Sequence, residues 1–395
     1  MAKSFDPRRI LKQIDNALLR EFFTRRGELI EVPWDTLTEH KIEPVFIAWQ
    51  ALPDDKQREV QMTLRDINEL ADHRGVAVLA EGILSRCPER AEEFRAQVSK
   101  ADKAMWVYLH APVAFEGAAM FARADALASG KDWRRRNGLP KLVLEDPSAL
   151  CGVLASSLTA LYGPIQLRGK HCLVEHYRRA DGANYFFAYL DDYPDKHLVF
   201  SGEDNQPVVR WDRYAFENVF EYNGDEGSLE IYAPGGNKVW GPLQVGFCKA
   251  VRGKDVPPVD PMRPSYRLDQ VLRPNFSLAS DPGDHIEDAR ITRMRIVPLG
   301  SGGHIEIKAS PRNDRNDIYH KIERWLRREN LPIESLRVMQ ATFSLRFIHD
   351  GAGRQQTLTF DVTVPHSSNL KSKPDEMRII GKRCLRLWEV TDDQG

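Results

Sequence analysis

Apolar residues recur every three or four positions through the first 140 residues, a spacing typical of helices with one buried face. Asp6-Pro7 is a favourable helix start, because Asp caps the first backbone N–H groups and Pro needs no partner there. The apolar face that follows consists of Ile10, Ile14, Leu18 and Phe22, and the helix ends near Gly27. A second helix, from Pro53-Asp54 to about Gly75, has the face Val60, Leu64, Ile67 and Ala71. Short connections between such helices predict an antiparallel bundle over residues 1–140.

The periodicity changes from helical spacing to strict alternation within residues 146–255. A helix from Asp146 to about Leu161 comes first, and the alternating segments are 170–178, 184–191, 196–200, 207–222 and 228–233. These segments are rich in Tyr, Phe, Val and Leu, and turn-forming residues separate them. A helix over about 238–252 follows. We therefore expect a central antiparallel sheet with flanking helices.

Two stretches have the composition of connecting segments. Residues 130–145 contain Trp133-Arg134-Arg135-Arg136, which indicates a basic linker or an exposed corner. Residues 256–285 contain six prolines, and proline at that density cannot sustain a helix or a strand, because it lacks the backbone donor. The second stretch therefore predicts a proline-rich linker.

The last hundred residues follow the order strand, strand, helix, strand, strand, helix. The predicted strands are 289–297, 303–309, 336–349 and 354–364, and the predicted helices are 314–330 and 375–388. This order predicts a two-layer α/β sandwich with an antiparallel sheet. The chain as a whole is thus expected to be α+β, with a helical domain (1–140), a mixed domain (146–255), the proline-rich linker (256–285) and a basic β-β-α-β-β-α domain (286–395).

The charge of this last region differs from that of the remaining chain. Residues 286–391 contain 19 Lys and Arg against 13 Asp and Glu, a net charge of +6, whereas the whole chain carries −1 and the remainder therefore −7. A basic module on an acidic body indicates a surface that faces DNA, RNA or an acidic protein partner. The residues expected to form it are Arg293, Arg295, Arg346, Lys371, Lys373, Arg378, Lys382, Arg383 and Arg386.

An alternative hypothesis is a Mg²⁺-dependent nuclease. Glu306 and Lys308 occupy alternate positions of a predicted strand and so share one face, and this Glu-x-Lys pattern is similar to the core of the restriction-like nuclease motif. Such a site binds a metal through the carboxylate while the Lys orients water, and it needs a further acid upstream. Asp284 or Asp288 is the candidate for that acid. Mg²⁺ is expected as a cofactor only under this hypothesis.

A second alternative is a sensor of nucleotides or other small ligands, in which aromatic residues of the central sheet stack on a planar molecule. Beyond these patterns the sequence contains no catalytic or cofactor motif, no apolar run long enough to span a membrane and no secretion signal. Five widely spaced cysteines predict neither a disulfide framework nor a zinc site. We therefore expect a cytosolic, non-catalytic binding, assembly or regulatory protein, whose helical half contacts protein partners and which binds no membrane and no metal.

Overall fold

The structure is a computed structural model. It describes residues 5–127, 133–139, 141–179, 182–200, 206–235, 237–253, 264–273, 275–300, 302–309, 317–329, 331–348 and 355–391. Within these ranges the chain forms twelve α-helices and two five-stranded antiparallel sheets, which confirms the predicted α+β class. It divides into two compact units, Met1–Ala126 and Leu127–Gly395. None of the helices in the described ranges is long and apolar enough to cross a membrane.

The first unit is a bundle of helices. Their bounds are α1 Pro7–Leu11, α2 Asn16–Arg25, α3 Glu43–Gln50, α4 Asp54–Leu70, α5 His73–Arg86, α6 Ala91–Ala96, α7 Lys100–His110 and α8 Pro112–Leu127. The helix α7 is the central element and contacts α2, α4, α5 and α6. Its start is fixed by a capping box, in which Ser99 and Asp102 bond each other's backbone N–H groups.

Two predicted helices of this bundle are interrupted by caps. The first ends at Leu11, and Asp15 caps a new helix by accepting from the N–H of Ala17. The second ends at Leu70, and Asp72 caps α5 by accepting from the N–H of Gly75. Asp side chains outside a helix satisfy orphan N–H groups, so each aspartate favours a fresh start over continuation. The predicted apolar face is nevertheless buried in both helices, apart from a half-buried Ala71.

The second unit begins with a sheet that two helices cover. Its elements are β1 Trp133–Arg136, α9 Leu150–Gln166, β2 Cys172–Arg178, β3 Asn184–Phe200, β4 Pro207–Asn223, β5 Ser228–Tyr232 and α10 Asn237–Arg252. The strand order is β1-β5-β4-β3-β2, with every neighbouring pair antiparallel. Tyr162 of α9 and Phe247 of α10 share one core with Phe186 and Phe220 of the sheet. We call this the first sheet.

Residues 128–132 and 140 lie outside the described residues. For the rest of 130–145, the prediction of a basic linker or exposed corner is wrong. Trp133–Arg136 is the edge strand β1, paired with β5, and Arg135 and Arg136 are buried. Three consecutive arginines indicate a solvent-exposed segment only if no side-chain acceptor from another segment bonds them. Here Glu230 accepts from Arg135 at 2.7 Å and Gln244 accepts from Arg136 at 2.9 Å.

The second sheet follows and carries two helices on one face. Its elements are β6 Ile286–Pro298, β7 Ile305–Lys308, α11 Asp317–Glu329, β8 Leu336–Phe347, β9 Thr357–Thr363, β10 Ser367–Ser368 and α12 Asp375–Leu387. The strand order is β10-β9-β8-β6-β7. Ile318 and Ile322 of α11 and Leu385 of α12 join Phe343 and Phe360 of the sheet in one core. The other face of the sheet carries polar side chains, as the alternation along each strand requires.

Part of the predicted linker is packed into this core. Residues 254–263 and 274 lie outside the described residues, but Leu268, Val271 and Leu272 are buried against the second sheet. Asp269 accepts from the backbone N–H of Val338 at 3.1 Å. The described part of this stretch also forms two short 3₁₀ helices, Asp269–Leu272 and Pro282–Asp284, so the prolines prevent neither short helical turns nor the packing of its apolar residues.

Candidate functional site

The basic residues predicted for the C-terminal surface separate into two groups in the structure. Arg293, Arg295, Arg346 and Lys373 lie on or beside the polar face of the second sheet. The other group faces glutamates of the first sheet and comprises Lys371, Arg378, Lys382 and Arg386. Arg383 stands apart, because it pairs with Asp284 at 2.8 Å. The two groups have different chemistry and are described in turn.

The second group belongs to an ionic cluster between the two sheets. Lys371 bridges Glu221 and Glu230, and its Nζ lies 3.1 Å from Oε2 of Glu230. Arg386 pairs with Glu226. Arg135 of β1 completes the cluster, with 2.7 Å to Glu230 and 3.2 Å to Glu226. All of these residues except Glu226 line a cavity of about 30 Å³, about the size of one water molecule.

Charge complementarity sets the protonation of this cluster. Burial alone would raise the pKa of Glu226, but the positive charges of Lys382, Arg135 and Arg386 outweigh it and hold that pKa at about 2. Burial likewise opposes ionisation of Glu221, and Lys371, Lys382 and Arg378 hold the pKa of Glu221 far below its ordinary value. The glutamates are therefore ionised at neutral pH, and the cations neutralise them.

This cluster corrects the predicted nucleic-acid surface. Lys371 is 7% exposed and Arg378 is 3% exposed, so neither can contact a nucleic acid. Lys371 also lies with its Nζ 3.6 Å from the ring centroid of Trp133, a cation–π contact. Four cations of the C-terminal region, Lys371, Arg378, Lys382 and Arg386, thus offset the acidity of the first sheet. The basic composition of this region indicates a negatively charged binding partner, and glutamates of the same chain are part of that partner.

The first group lies along the polar face of the second sheet. Lys308, Arg293, Thr342 and Asp361 are successive cross-strand partners on β7, β6, β8 and β9, so they form one row across four strands. Neighbouring strands are about 4.8 Å apart, which brings these side chains within reach of one another. Asn369 and Lys373 reach the same place from the segment before α12, and together the residues line a groove of about 390 Å³.

Hydrogen bonds fix the floor of this groove. Arg293 donates to Oδ1 of Asp361 at 3.0 Å and to the hydroxyl of Thr342 at 3.1 Å. Asp361 donates its backbone N–H to Asn369 at 2.7 Å, and the Asn369 amide returns a bond of 3.3 Å to Oδ2 of Asp361. Arg293 and Asp361 are therefore pre-positioned, whereas Lys308 is 67% exposed at the rim.

The acids of the nuclease hypothesis do not meet. Glu306 and Lys308 share a face as predicted, and they pair with each other at 2.9 Å, which lowers the pKa of Glu306. Glu306 lies opposite Arg295, however, while Asp288 lies opposite Arg346 and bonds Arg290. Seven residues along one strand separate these levels by about 23 Å. Asp284 is equally unsuited, since it is buried against Arg383.

An acid that the sequence analysis overlooked lies nearer. The guanidinium of Arg293 is 3.0 Å from Asp361 and 4.0 Å from Glu306, so a side-chain cation occupies the space between the two carboxylates. Within the described residues no group of three potential metal ligands occurs. Asp361 could have been noticed as the one acid on the polar face of the alternating strand Thr357–Thr363. The residues that bond Asp361 could not have been identified from the sequence, because they come from three other segments.

The aromatic residues of the first sheet are core residues rather than a stacking platform. Tyr185, Phe186, Phe187, Phe220 and Tyr222 have no solvent exposure. The sensor hypothesis expected these rings to meet a ligand, and their packing against α9 and α10 or against neighbouring rings removes most of them from that role. Exposed aromatics occur further along β3 and β4, where Trp211 and Tyr214 are more than half exposed.

The groove and the ionic cluster are thus defined by their geometry alone. Comparison of the chain with protein-family models, with curated proteins and with solved structures found no match.

Proposed function

We propose that the protein is a non-catalytic nucleic-acid-binding protein that contacts the phosphate backbone with the polar face of its second sheet. The observation that carries the proposal is the convergence of Arg293, Lys308 and Lys373 in one groove, although they come from three separate segments. Basic side chains, hydroxyls and an amide in a shallow groove are the groups that proteins use to bond phosphate oxygens.

The distribution of charge supports this face over α12. Lys371 and Arg386 already have glutamate partners, so displacing them onto phosphate would leave carboxylates of the ionic cluster uncompensated. On the polar face the cations outnumber the acids and stand nearer to solvent. Arg295, which is exposed beside His304, and Arg346, 41% exposed, extend the positive strip from the groove along β6 and β8.

The proposal implies backbone contact without base reading. The basic side chains of the groove lie on strands and in the segment before α12, and contacts to phosphate carry no sequence information, so sequence preference is expected to be weak. Three phosphate contacts, from Arg293, Lys308 and Lys373, predict that log K falls with log salt with a slope of about −3 on duplex DNA.

The test is fluorescence anisotropy with labelled single- and double-stranded DNA and RNA over a salt series. The double variant Lys308→Glu/Lys373→Glu is expected to weaken binding and to reduce the salt slope by about 2, because two phosphate contacts are lost. Lys141→Glu is the control: it makes one such charge reversal at an exposed lysine outside the groove, half the charge change of the double variant, and it should bind like the original chain.

Two outcomes would reject the proposal. One is the absence of binding at low salt by the original chain. The other is binding that Lys141→Glu and the double variant weaken equally. If polyglutamate displaces the labelled nucleic acid as well as unlabelled DNA does, the groove binds an acidic protein partner instead.

A further inference from the structure

The strands β3 and β4 continue well beyond the first sheet as a two-stranded arm. Their pairing runs without a third strand from Pro194–Arg213 to Phe200–Pro207. On one side β2 reaches only to Leu190 of β3, and on the other side β5 reaches only to Val219 of β4. We call residues 194–200 and 207–213 the arm, and among the described strands none flanks it.

One face of the arm is polar and internally bonded. His197 lies 3.0 Å from Oδ2 of Asp212, and Arg210 donates to Oδ1 of the same carboxylate at 3.1 Å. The hydroxyl of Tyr214 lies 3.0 Å from Nε2 of His197. These contacts hold the two strands in register without help from a neighbouring layer.

The opposite face is apolar and open to solvent. Cross-strand pairs share a face, and the pairs on this face are Pro194–Arg213 at the base of the arm, then Lys196–Trp211, Leu198–Val209 and Phe200–Pro207. Phe200 is 78% exposed, Leu198 69% and Trp211 65%. Val209 is 49% exposed. Isolated apolar residues on a surface need no explanation, but a continuous row on an unsupported hairpin marks an interface.

We propose that the arms of two copies of this chain pack apolar face to apolar face about a two-fold axis. The axis passes across the arm at the Leu198–Val209 pair, so that these residues meet their own counterparts. Because the axis reverses the arm direction, the pair at Lys196–Trp211 then lies over the pair at Phe200–Pro207 of the other copy.

The face is self-complementary in this arrangement. The ammonium of Lys196 lies over the ring of Phe200 from the second copy, a favourable cation–π contact. Trp211 lies on Pro207 from the second copy, so both aromatic rings gain a partner without bringing like charges together. Each residue of the apolar row therefore packs against a residue of the second copy, and the two-fold symmetry forms each contact between different residues twice.

The available area fits a weak but specific dimer. A large aromatic side chain presents about 150–250 Å², so Trp211 and Phe200 at their observed exposures offer about 100–190 Å² each. With Leu198, Val209 and the flanking pairs, two arms together bury about 1,000 Å², the lower limit for a specific interface. A Kd in the low micromolar range is expected. This inference does not depend on the proposed nucleic-acid groove, which lies on the other sheet.

Sedimentation velocity over a concentration series up to about 100 µM tests the proposal, since a micromolar dimer is saturated there. The original chain is expected to shift from monomer to dimer, and Val209→Arg is expected to stay monomeric, because two arginines then meet across the axis. Val208→Arg is the matched control. It is the adjacent valine, 43% exposed, on the opposite face, and it should dimerise.

Mixing variants tests the symmetry itself. Val209→Arg and Val209→Glu should each be monomeric alone and should form a mixed dimer when combined, because residue 209 faces its own counterpart. Far-ultraviolet circular dichroism checks that each variant is folded. A monomer at every concentration, or equal dimerisation by the Val208→Arg and Val209→Arg variants, would overturn the proposal.

Discussion

Lys371 is the residue at which the acidic and basic regions of the chain meet. Its ammonium contacts Glu221, Glu230 and the face of Trp133, and only 7% of the residue is exposed. Taking these charges out of water costs several kcal/mol per ion, and the attraction between them offsets that cost only while every partner is present. Removing one partner of such a cluster is therefore destabilising, because it leaves a buried charge uncompensated.

Acid should weaken this arrangement through Glu226. Its pKa lies at about 2 in the folded chain and near 4.5 in the unfolded chain, so its ionised form stabilises the fold above pH 4.5. That contribution is up to about 3 kcal/mol and is lost as the pH falls from about 4.5 towards 2. Glu226→Gln is expected to lower the free energy of urea unfolding by about 2–3 kcal/mol at pH 7, with the difference narrowing at pH 3.

The control for this prediction is Glu323→Gln. Glu323 forms an i,i+4 pair with Arg327 and is 55% exposed, so its loss should change stability by less than about 0.5 kcal/mol at either pH. A Glu226→Gln deficit that stays constant between pH 7 and pH 3 would show that the loss is steric rather than electrostatic.

The turn between β4 and β5 decides whether Glu226 reaches its partners. Gly227 has φ +65°, and a Cβ there would lie 2.1 Å from the carbonyl oxygen of Leu139. Gly300 has a similar φ of +77° with nothing within 4 Å. We expect Gly300→Ala to cost about 1–2 kcal/mol through backbone strain alone, and Gly227→Ala to cost clearly more because the Leu139 backbone must also move. Thermal unfolding of both variants measures the difference, and equal costs would contradict the predicted clash.

At the scale of elements, the local pattern of apolar and polar residues predicted which segments form strands better than it predicted which residues contact one another. The strands of the second sheet could be predicted because apolar residues alternate along them, and Phe343 and Phe360 are buried as that pattern requires. The edge strand Trp133–Arg136 could not be predicted, because its buried arginines bond glutamates and a glutamine that are distant in sequence. The groove was half predictable, since Arg293 and Lys373 were predicted as nucleic-acid contacts and Lys308 as a residue of the nuclease hypothesis, whereas Asp361, which fixes Arg293, was not predicted.

At the scale of the whole molecule, the two sheets depend on each other although each has its own core. The edge strand β1 donates the N–H of Arg135 to the carbonyl of His366 at 3.1 Å, and Ser265 also bonds the carbonyl of Arg135. Separation of the sheets would leave Glu221 and Glu230 without Lys371. The division into domains at 146–255 and 286–395 remains a prediction. These contacts indicate that the two predicted domains stabilise each other.

Cutting the chain between the sheets should therefore be costly. A fragment of residues 127–255 loses the cations that neutralise its glutamates, and breaking buried ion pairs from one side costs about 3–5 kcal/mol. We expect this fragment to unfold at a much lower urea concentration than a fragment of residues 127–395, as followed by circular dichroism. Coincident unfolding of the two fragments would mean that the ionic cluster contributes nothing to stability.

The ionic cluster also has a consequence for the order in which the protein is made. Glu230 and Lys371 are 141 residues apart, and Glu226 and Arg386 are 160 residues apart. At a synthesis rate of about 5–20 residues per second, Glu226 leaves the ribosome about 10–30 s before Arg386. During that interval the first sheet can form with its glutamates still hydrated, and these charges oppose burial of that part of the sheet against another apolar surface. The acids would then protect the nascent sheet until the last helix arrives to neutralise them.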